Sequence, residues 1–352
     1  MTALTMPARP EQDAGLRPVP WRRMAWVTWR QHRFALAGAA ALLGVLGAYL
    51  WLAGLGMHRA YTIAAACRPA DSLACINTVG DFNAAYGTNA QTIAALLHAV
   101  PALIGAFVGA PVLARELETG TFRYAWTQGF GRWRWALAKL VLLAIAVTAA
   151  AGLFSLLFSW YFQPLLDEPG YQTPLGPGIF DLRGVAFAAW TLAAFSIGIT
   201  AGMLLRRVVP AIAVSLAAWA GLLLTAGLFL RQHYAVPLVT ASPNAGESNA
   251  WIMAQWWTKG GTTVSSPAMN RIIQSTIEQV APKTDSNFTP DSPEAPFQIA
   301  ERYLIHHGYT LWTRYQPASR FWSFQRIESG WLLALSVLLI AATIWLVRRR
   351  AT

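Results

Sequence analysis

The sequence predicts an all-α polytopic membrane protein, with about six transmembrane helices each able to cross ~30 Å of hydrocarbon. Three observations lead there: a low and clumped charge content, uncharged runs of spanning length, and a one-sided distribution of arginine. Of 352 residues, 55% are hydrophobic and 12% charged, whereas an ordinary soluble domain carries roughly 25% charged residues. No Asp, Glu, Lys or Arg falls within 34–58, 82–114, 140–166 or 208–230, and further uncharged runs cover 184–205 and 330–347. A soluble core helix keeps a polar face, so runs of this length argue for lipid as the solvent. There the backbone must satisfy itself internally, which favours helices.

The first run and the basic segment before it are both too long for a secretory leader, and we read an uncleaved first span. An even number of spans puts both termini on one side. That side collects Arg9, Arg17, Arg22, Arg23, Arg30 and Arg33, then Arg115, Arg123, Arg132, Arg134 and Lys139, then Arg206, Arg207 and Arg348 to Arg350. The acids there are Glu11, Asp13, Glu116 and Glu118, so the chain's whole excess of +11 lies on that face. By the positive-inside rule the face is cytoplasmic, in a plasma membrane. The basic balance is thus a topology signal, and no nucleic-acid partner is expected. Trp51, Trp160 and Trp331 fall at outer helix ends and Trp133, Trp135 and Trp345 at inner ends, as indole favours the headgroup layer. Trp190 and Trp219 lie deeper and read as packing residues.

The order along the chain follows. Residues 1–33 form a cytoplasmic N-terminus. Its stretch Trp21-Arg-Arg-Met-Ala-Trp-Val-Thr-Trp-Arg30 puts Trp21, Met24, Ala25 and Thr28 or Trp29 on one helical face. Arg22 and Arg23 can meet lipid phosphates, with Trp26 beside them, which is the pattern of a helix lying in the membrane interface. The alternative is direct continuation into the first span. Residues 34–230 hold spans one to five, with an outer loop at 57–92 and an inner connection at 115–134. Cys67 and Cys75, the chain's only cysteines, lie in the outer loop. They are candidates for a disulfide, the alternative being two free thiols. No His or further Cys stands at ligand spacing beside them, and no metal site is expected.

Residues 231–329 make an extracellular insertion between helices five and six. Apolar positions 272, 273, 277 and 280 have helical spacing, 297–309 suits a second amphipathic helix, and 282–296 reads as a connection. Asn287-Phe-Thr289 has the form of a glycosylation acceptor. Residues 330–352 form the sixth span and a basic tail.

Chemistry inside the chain is sparse. There is no Gly-x-x-x-x-Gly-Lys-Ser/Thr phosphate loop, and the uncharged runs hold no ionisable residue near mid-membrane to couple an ion gradient. His98 near an outer end suits a hydrogen-bonded histidine, Asp181 an N-terminal cap for span four, and Arg183 an interfacial anchor. Asp167 and Glu168 have no catalytic partner beside them, so the chain alone is not expected to be an enzyme. Gly105-x-x-x-Gly109 and Gly198-x-x-x-Gly202 let helices approach closely, within one chain or between two copies. Pro101 and Pro111 are expected to bend span two.

The inner connection carries a resemblance. Arg115-Glu116, Glu118, Gly120-Thr121, then Arg132-Trp133 and Lys139 entering the next span resemble the type-2 (ABC-2) ABC transporter permeases, those of actinobacteria above all through Trp126-Thr-Gln128. The turn Arg206-Arg-Val-Val-Pro210 and the approach Tyr315-Gln-Pro-Ala-Ser-Arg-Phe-Trp322 are similar too. The resemblance implies a dimer with a second permease copy (the same chain in preference to a related one), set among membrane lipids. It also implies a separate ABC ATPase subunit that binds ATP and Mg, while this chain binds no cofactor. Carried over, Glu116 to Trp126 would form the coupling helix, with Leu117, Phe122 and Trp126 buried in the partner and Glu118, Thr121 and Arg123 about them. Export of a hydrophobic or amphipathic substrate is implied. Two other readings fit the same residues: a membrane sensor or immunity component binding a ligand through 231–329, and a membrane enzyme acting on lipid-linked substrates.

Overall fold

The structure, a computed structural model, describes residues 21–68, 72–120, 132–168, 172–241, 249–280 and 296–350. Six helices among them are long and apolar enough to cross a membrane: Trp26–Ala66, Ala74–Thr119, Ala136–Asp167, Ala186–Leu205, Val208–His233 and Ala318–Arg349. We call these spans one to six.

Span one belongs to α1 (Trp21–Ala66), a single helix of 46 residues, or about 69 Å at 1.5 Å per residue. The expected interfacial helix is thus continuous with span one, the alternative the sequence also allowed. Trp21, Arg22, Arg23, Trp26 and Trp29 form the first turns of the spanning helix, with no bend after them. The physical reason is local: α1 contains no proline and its first glycine is Gly38, so nothing breaks the backbone ladder. Trp26 and Trp29 are exposed, and Arg30 stacks over the Trp26 ring at 5.3 Å.

Span two is assembled from α2 (Leu73–Phe82), α3 (Thr88–Leu97), α4 (Ala99–Leu103) and α5 (Ala110–Thr119). Wider π turns at Asn83–Gly87 and Ile104–Gly109 interrupt it. Pro111 has no N–H to give to the carbonyl of Phe107, and the second π turn absorbs that misfit just ahead of it. Cys67 and Cys75 are joined, tying the end of α1 to α2 across Cα atoms 5.5 Å apart. Span three lies in α6 (Arg132–Asp167), whose Trp160 seats over Gly54 of α1, stacks on Trp51 and His58, and accepts a hydrogen bond from the His58 ring at its carbonyl.

Span four, α7 (Ala186–Leu205), is the centre of the bundle. Over its most apolar stretch 67% of residues are buried, against 11% in span one and 17% in span five. Small residues make this possible. A Cβ added at Gly105 would stand 2.5 Å from the carbonyl oxygen of Ala194, and one at Gly109 2.7 Å from that of Phe195. Gly198 and Gly202 sit equally close against Gly105 and Ala110. The two Gly-x-x-x-Gly pairs thus face each other within one chain. Span five is α8 (Val208–Thr225) with a π turn and a final 3-10 turn to His233.

Residues 238–316 build a small α/β unit that the all-α expectation did not contain. Its antiparallel sheet runs β1-β4-β2-β3, from β1 (Leu238–Thr240), β2 (Trp251–Lys259), β3 (Thr262–Val264) and β4 (Tyr309–Gln316). Helices α9 (Ser266–Val280) and α10 (Pro296–His306) cover one face around Trp257, Met269, Leu304 and Leu311. On the other face Trp256 stacks on Trp312, with Arg314 over it. The last helix, α11 (Phe321–Arg350), begins well before Gly330, so residues 321–329 belong to span six.

Candidate functional site

Two clusters join the spans, one at each end of the bundle. At the end that carries the N-terminal turns, α5 stops at Thr119 because Gly120 adopts φ 70°, the left-handed conformation that ends helices. The last turns of α5 make two ties. Glu116 forms an ion pair with Lys139 of span three, whose side chain is 1% exposed. Glu118 accepts the backbone N–H of Val208 at 3.1 Å. That bond serves a helix start whose own N-cap, Arg207, offers no side-chain bond, and it sets a carboxylate at the positive end of the span-five dipole. The turn before Val208 holds Arg206 at φ 56°, the one described non-glycine residue with positive φ.

At the opposite end an arginine is fully enclosed. Arg231, at 0% exposure, donates from Nε and Nη2 to Glu328 at 3.1 and 2.8 Å and pairs through Nη2 with Asp181. Its guanidinium lies 4.4 Å over the Phe180 ring. Glu328, also at 0% exposure, further accepts Trp190 Nε1 at 2.8 Å and the Tyr234 hydroxyl at 3.0 Å, and that hydroxyl accepts Trp331 Nε1 at 2.9 Å. His98 of span two donates through Nδ1 to the Ala94 carbonyl and sets Nε2 3.7 Å from Asp181. Spans two, four, five and six and the 3-10 turn Phe180–Leu182 thus converge on two carboxylates and one guanidinium.

Burial pushes the Asp181 carboxyl up, but Arg231 and the hydrogen bonds outweigh it and hold it below the usual carboxylate range. Burial, then Glu328, lifts the Tyr234 phenol above its ordinary range. Nearby, burial lowers Arg183 to about 10. Asp181 is not the cap of span four. The Ala186 N–H is met by Gln325 Oε1 of span six at 2.8 Å, which frees Asp181 for Arg231. Trp190, read as a packing residue, is also a donor.

A model of the ABC-2 membrane transporter related family matches residues 40–231, more than half of the chain, from within span one to Arg231 itself. The chain belongs to the ABC-2 membrane transporter related family. No curated protein and no solved structure matches it. As an ABC-2 type permease, it is a membrane component of an ABC transporter, a class that works with an ABC ATPase.

In this permease the expected coupling residues divide. Glu116, Leu117 and Glu118 belong to the end of span two, in the helix that ends at Thr119. Thr121, Phe122, Arg123 and Trp126 lie outside the described residues. Arg231 and Glu328 were the residues sequence reasoning missed as a pair. The available signal was a shared face: Phe321, Phe324, Gln325, Glu328 and Leu332 recur at helical spacing, which carries the last helix upstream of Gly330.

The Lys139 tie yields a stability test. Lys139→Met is expected to lower the stability of the permease by about 1.5–3 kcal/mol, the worth of a hydrogen bond to a charged group. Glu118→Ala should cost about 1 kcal/mol, as for a lost helix cap. Melting temperatures of the two variants in one detergent test the order, and an equal loss would contradict it.

Proposed function

We propose that this chain is the membrane-spanning subunit of an ATP-driven exporter, with both termini in the cytoplasm, moving a hydrophobic or amphipathic substrate outward. ATP and Mg are bound by a separate ATPase subunit, and the chain itself catalyses nothing. The observation that carries the reading is the double tie at the end of span two. Glu116 to Lys139 and Glu118 to the Val208 N–H link the connection after Thr119 to spans three and five. A displacement of that connection by a partner therefore moves three helices together. The Cys67–Cys75 disulfide supports the orientation, because it lies at the end away from the arginine-rich turns and disulfides persist on oxidising sides. Spans one and five are poorly buried and expose Val45, Leu52, Val209 and Leu224, which suits contact with lipid and with a second copy of the chain.

The test is purification of the tagged chain from its native membranes in mild detergent, followed by an ATPase assay. A stoichiometric ATPase subunit should co-purify. Phe122→Asp with Trp126→Asp should weaken its binding at least about thirtyfold, the loss expected for interface hot spots. A chain that purifies alone and shows no ATP-dependent activity would replace this reading with the sensor or enzyme one.

A further inference from the structure

At the arginine-rich end, α1 stands off from span two and leaves a cleft of about 900 Å³ between α1, α5 and α8. Arg30, His32 and Arg115 line its mouth, and Phe107, Pro111 and Ile212 line its floor. A second, apolar cavity of about 270 Å³ continues from it along α1 and shares Ala35, Phe107 and Val108 with it. The second cavity runs past Gly38 to Leu43 and Leu103.

We infer that this composite groove binds one anionic phospholipid of the leaflet at that end, with the headgroup phosphate between Arg30 and Arg115 and an acyl chain along Ala35, Gly38 and Leu103. Charge decides the headgroup. Glu116, the acid in the lining, is already paired with Lys139, and among the described residues Arg30 and Arg115 have no ion-pair partner, so the mouth is left with uncompensated positive charge. Polarity agrees, since His32 Nε2 is buried there with no hydrogen-bond partner among the described residues. Length decides the tail. From Arg30 to Leu43 the helix rises about 20 Å, enough to take an acyl chain through one half of a ~30 Å hydrocarbon core. A free phosphate would fill only the mouth, and a second copy of the chain would bring apolar surface to it and leave the arginines unmet. The inference does not depend on the exporter reading, because it concerns the resting protein.

The full chain, purified in detergent, is equilibrated with mixed micelles of phosphatidylglycerol and phosphatidylcholine of identical acyl chains, and retained lipid is counted by native mass spectrometry. Phosphatidylglycerol should be retained in preference. Arg30→Gln and Arg115→Gln should each reduce that retention about fivefold, the worth of one basic side chain at an anionic lipid surface. Gly38→Leu supplies the independent arm. A Cβ at Gly38 meets nothing within 4 Å, so the larger side chain fits the tail cavity, does not lower the melting temperature and blocks the chain. It should abolish retention with both arginines intact. Equal retention of the two lipids, displacement by inorganic phosphate alone, or full retention in Gly38→Leu would each overturn the assignment. Retention lost only on dimer formation would instead assign the groove to the second copy.

Discussion

Arg231→Met is expected to lower stability by about 3–5 kcal/mol, the penalty for stranding the other members of a buried ion cluster. The size follows from what remains. Arg231, Asp181 and Glu328 are all enclosed, so no water reaches the carboxylates once the guanidinium is gone. Trp190 and Tyr234 still donate to Glu328, but neutral donors do not offset a second buried negative charge. Converting Asp181 and Glu328 to Asn and Gln alongside Arg231→Met removes the stranded charges and should recover most of the loss, as polar isosteres can keep the hydrogen bonds. Thermal unfolding in detergent reads both variants. A single variant as stable as the parent would show that the cluster contributes nothing. Asp181 adds a sign for pH. Because the fold holds its carboxyl below the ordinary value, its contribution is complete above that value and is lost only as pH falls through the lowered one. Neutral and mildly acidic conditions should therefore leave the Asp181–Arg231 pair intact.

Gly198→Leu is expected to be the most damaging single change in the bundle interior. A Cβ there already falls against the Gly105 carbonyl and the Ala110 nitrogen. Both are backbone atoms of span two and cannot rotate away. The helices must separate, taking with them the Gly105, Gly109 and Gly202 contacts, so the loss should exceed the ~1–3 kcal/mol usual for overpacking. Gly221→Ala is the control. Nothing lies within 4 Å of a Cβ there, and removing a glycine from a helix interior is worth about 0.5–1 kcal/mol in its favour. If the two variants accumulated equally in membranes, close approach of spans two and four would not be the reason for the small residues.

The membrane part of the fold was legible because its signal is coarse. Uncharged runs of about 20 residues announce spans regardless of neighbours, and all six appear in the structure. The glycine motifs were legible as close contacts, although only the coordinates reveal that they pair with each other. What escaped was whatever depended on two distant segments. The ends of spans five and six were drawn where charges begin, yet Arg231 and Glu328 are charges that neutralise each other across 97 residues of sequence, so the rule that charge marks the exit from lipid misplaced both. The sheet escaped for a related reason. Trp251–Lys259 is a strand whose inward and outward aromatic residues make sense only beside Tyr309–Gln316. The N-terminal turns left two readings open: an amphipathic face suggested an interfacial helix, and nothing in the backbone from Trp21 to Phe34 ends one helix and starts another, so the two are one continuous helix.

The way the 238–316 unit is attached has a consequence for its history. Its first strand follows span five directly and its last strand leads into span six, and these two strands are hydrogen-bonded neighbours, Leu238 opposite Tyr315 and Thr240 opposite Thr313. Entry and exit therefore form the stem of a hairpin, and everything between Thr240 and Thr313 is a loop grown on that stem. Antiparallel neighbours of this kind can be closed by a two-residue turn. The module could be enlarged or replaced beyond that stem without moving a spanning helix, provided Trp251 keeps its packing against the Trp190 and Phe324 cluster and Asn249 its hydrogen bond to the Leu166 carbonyl.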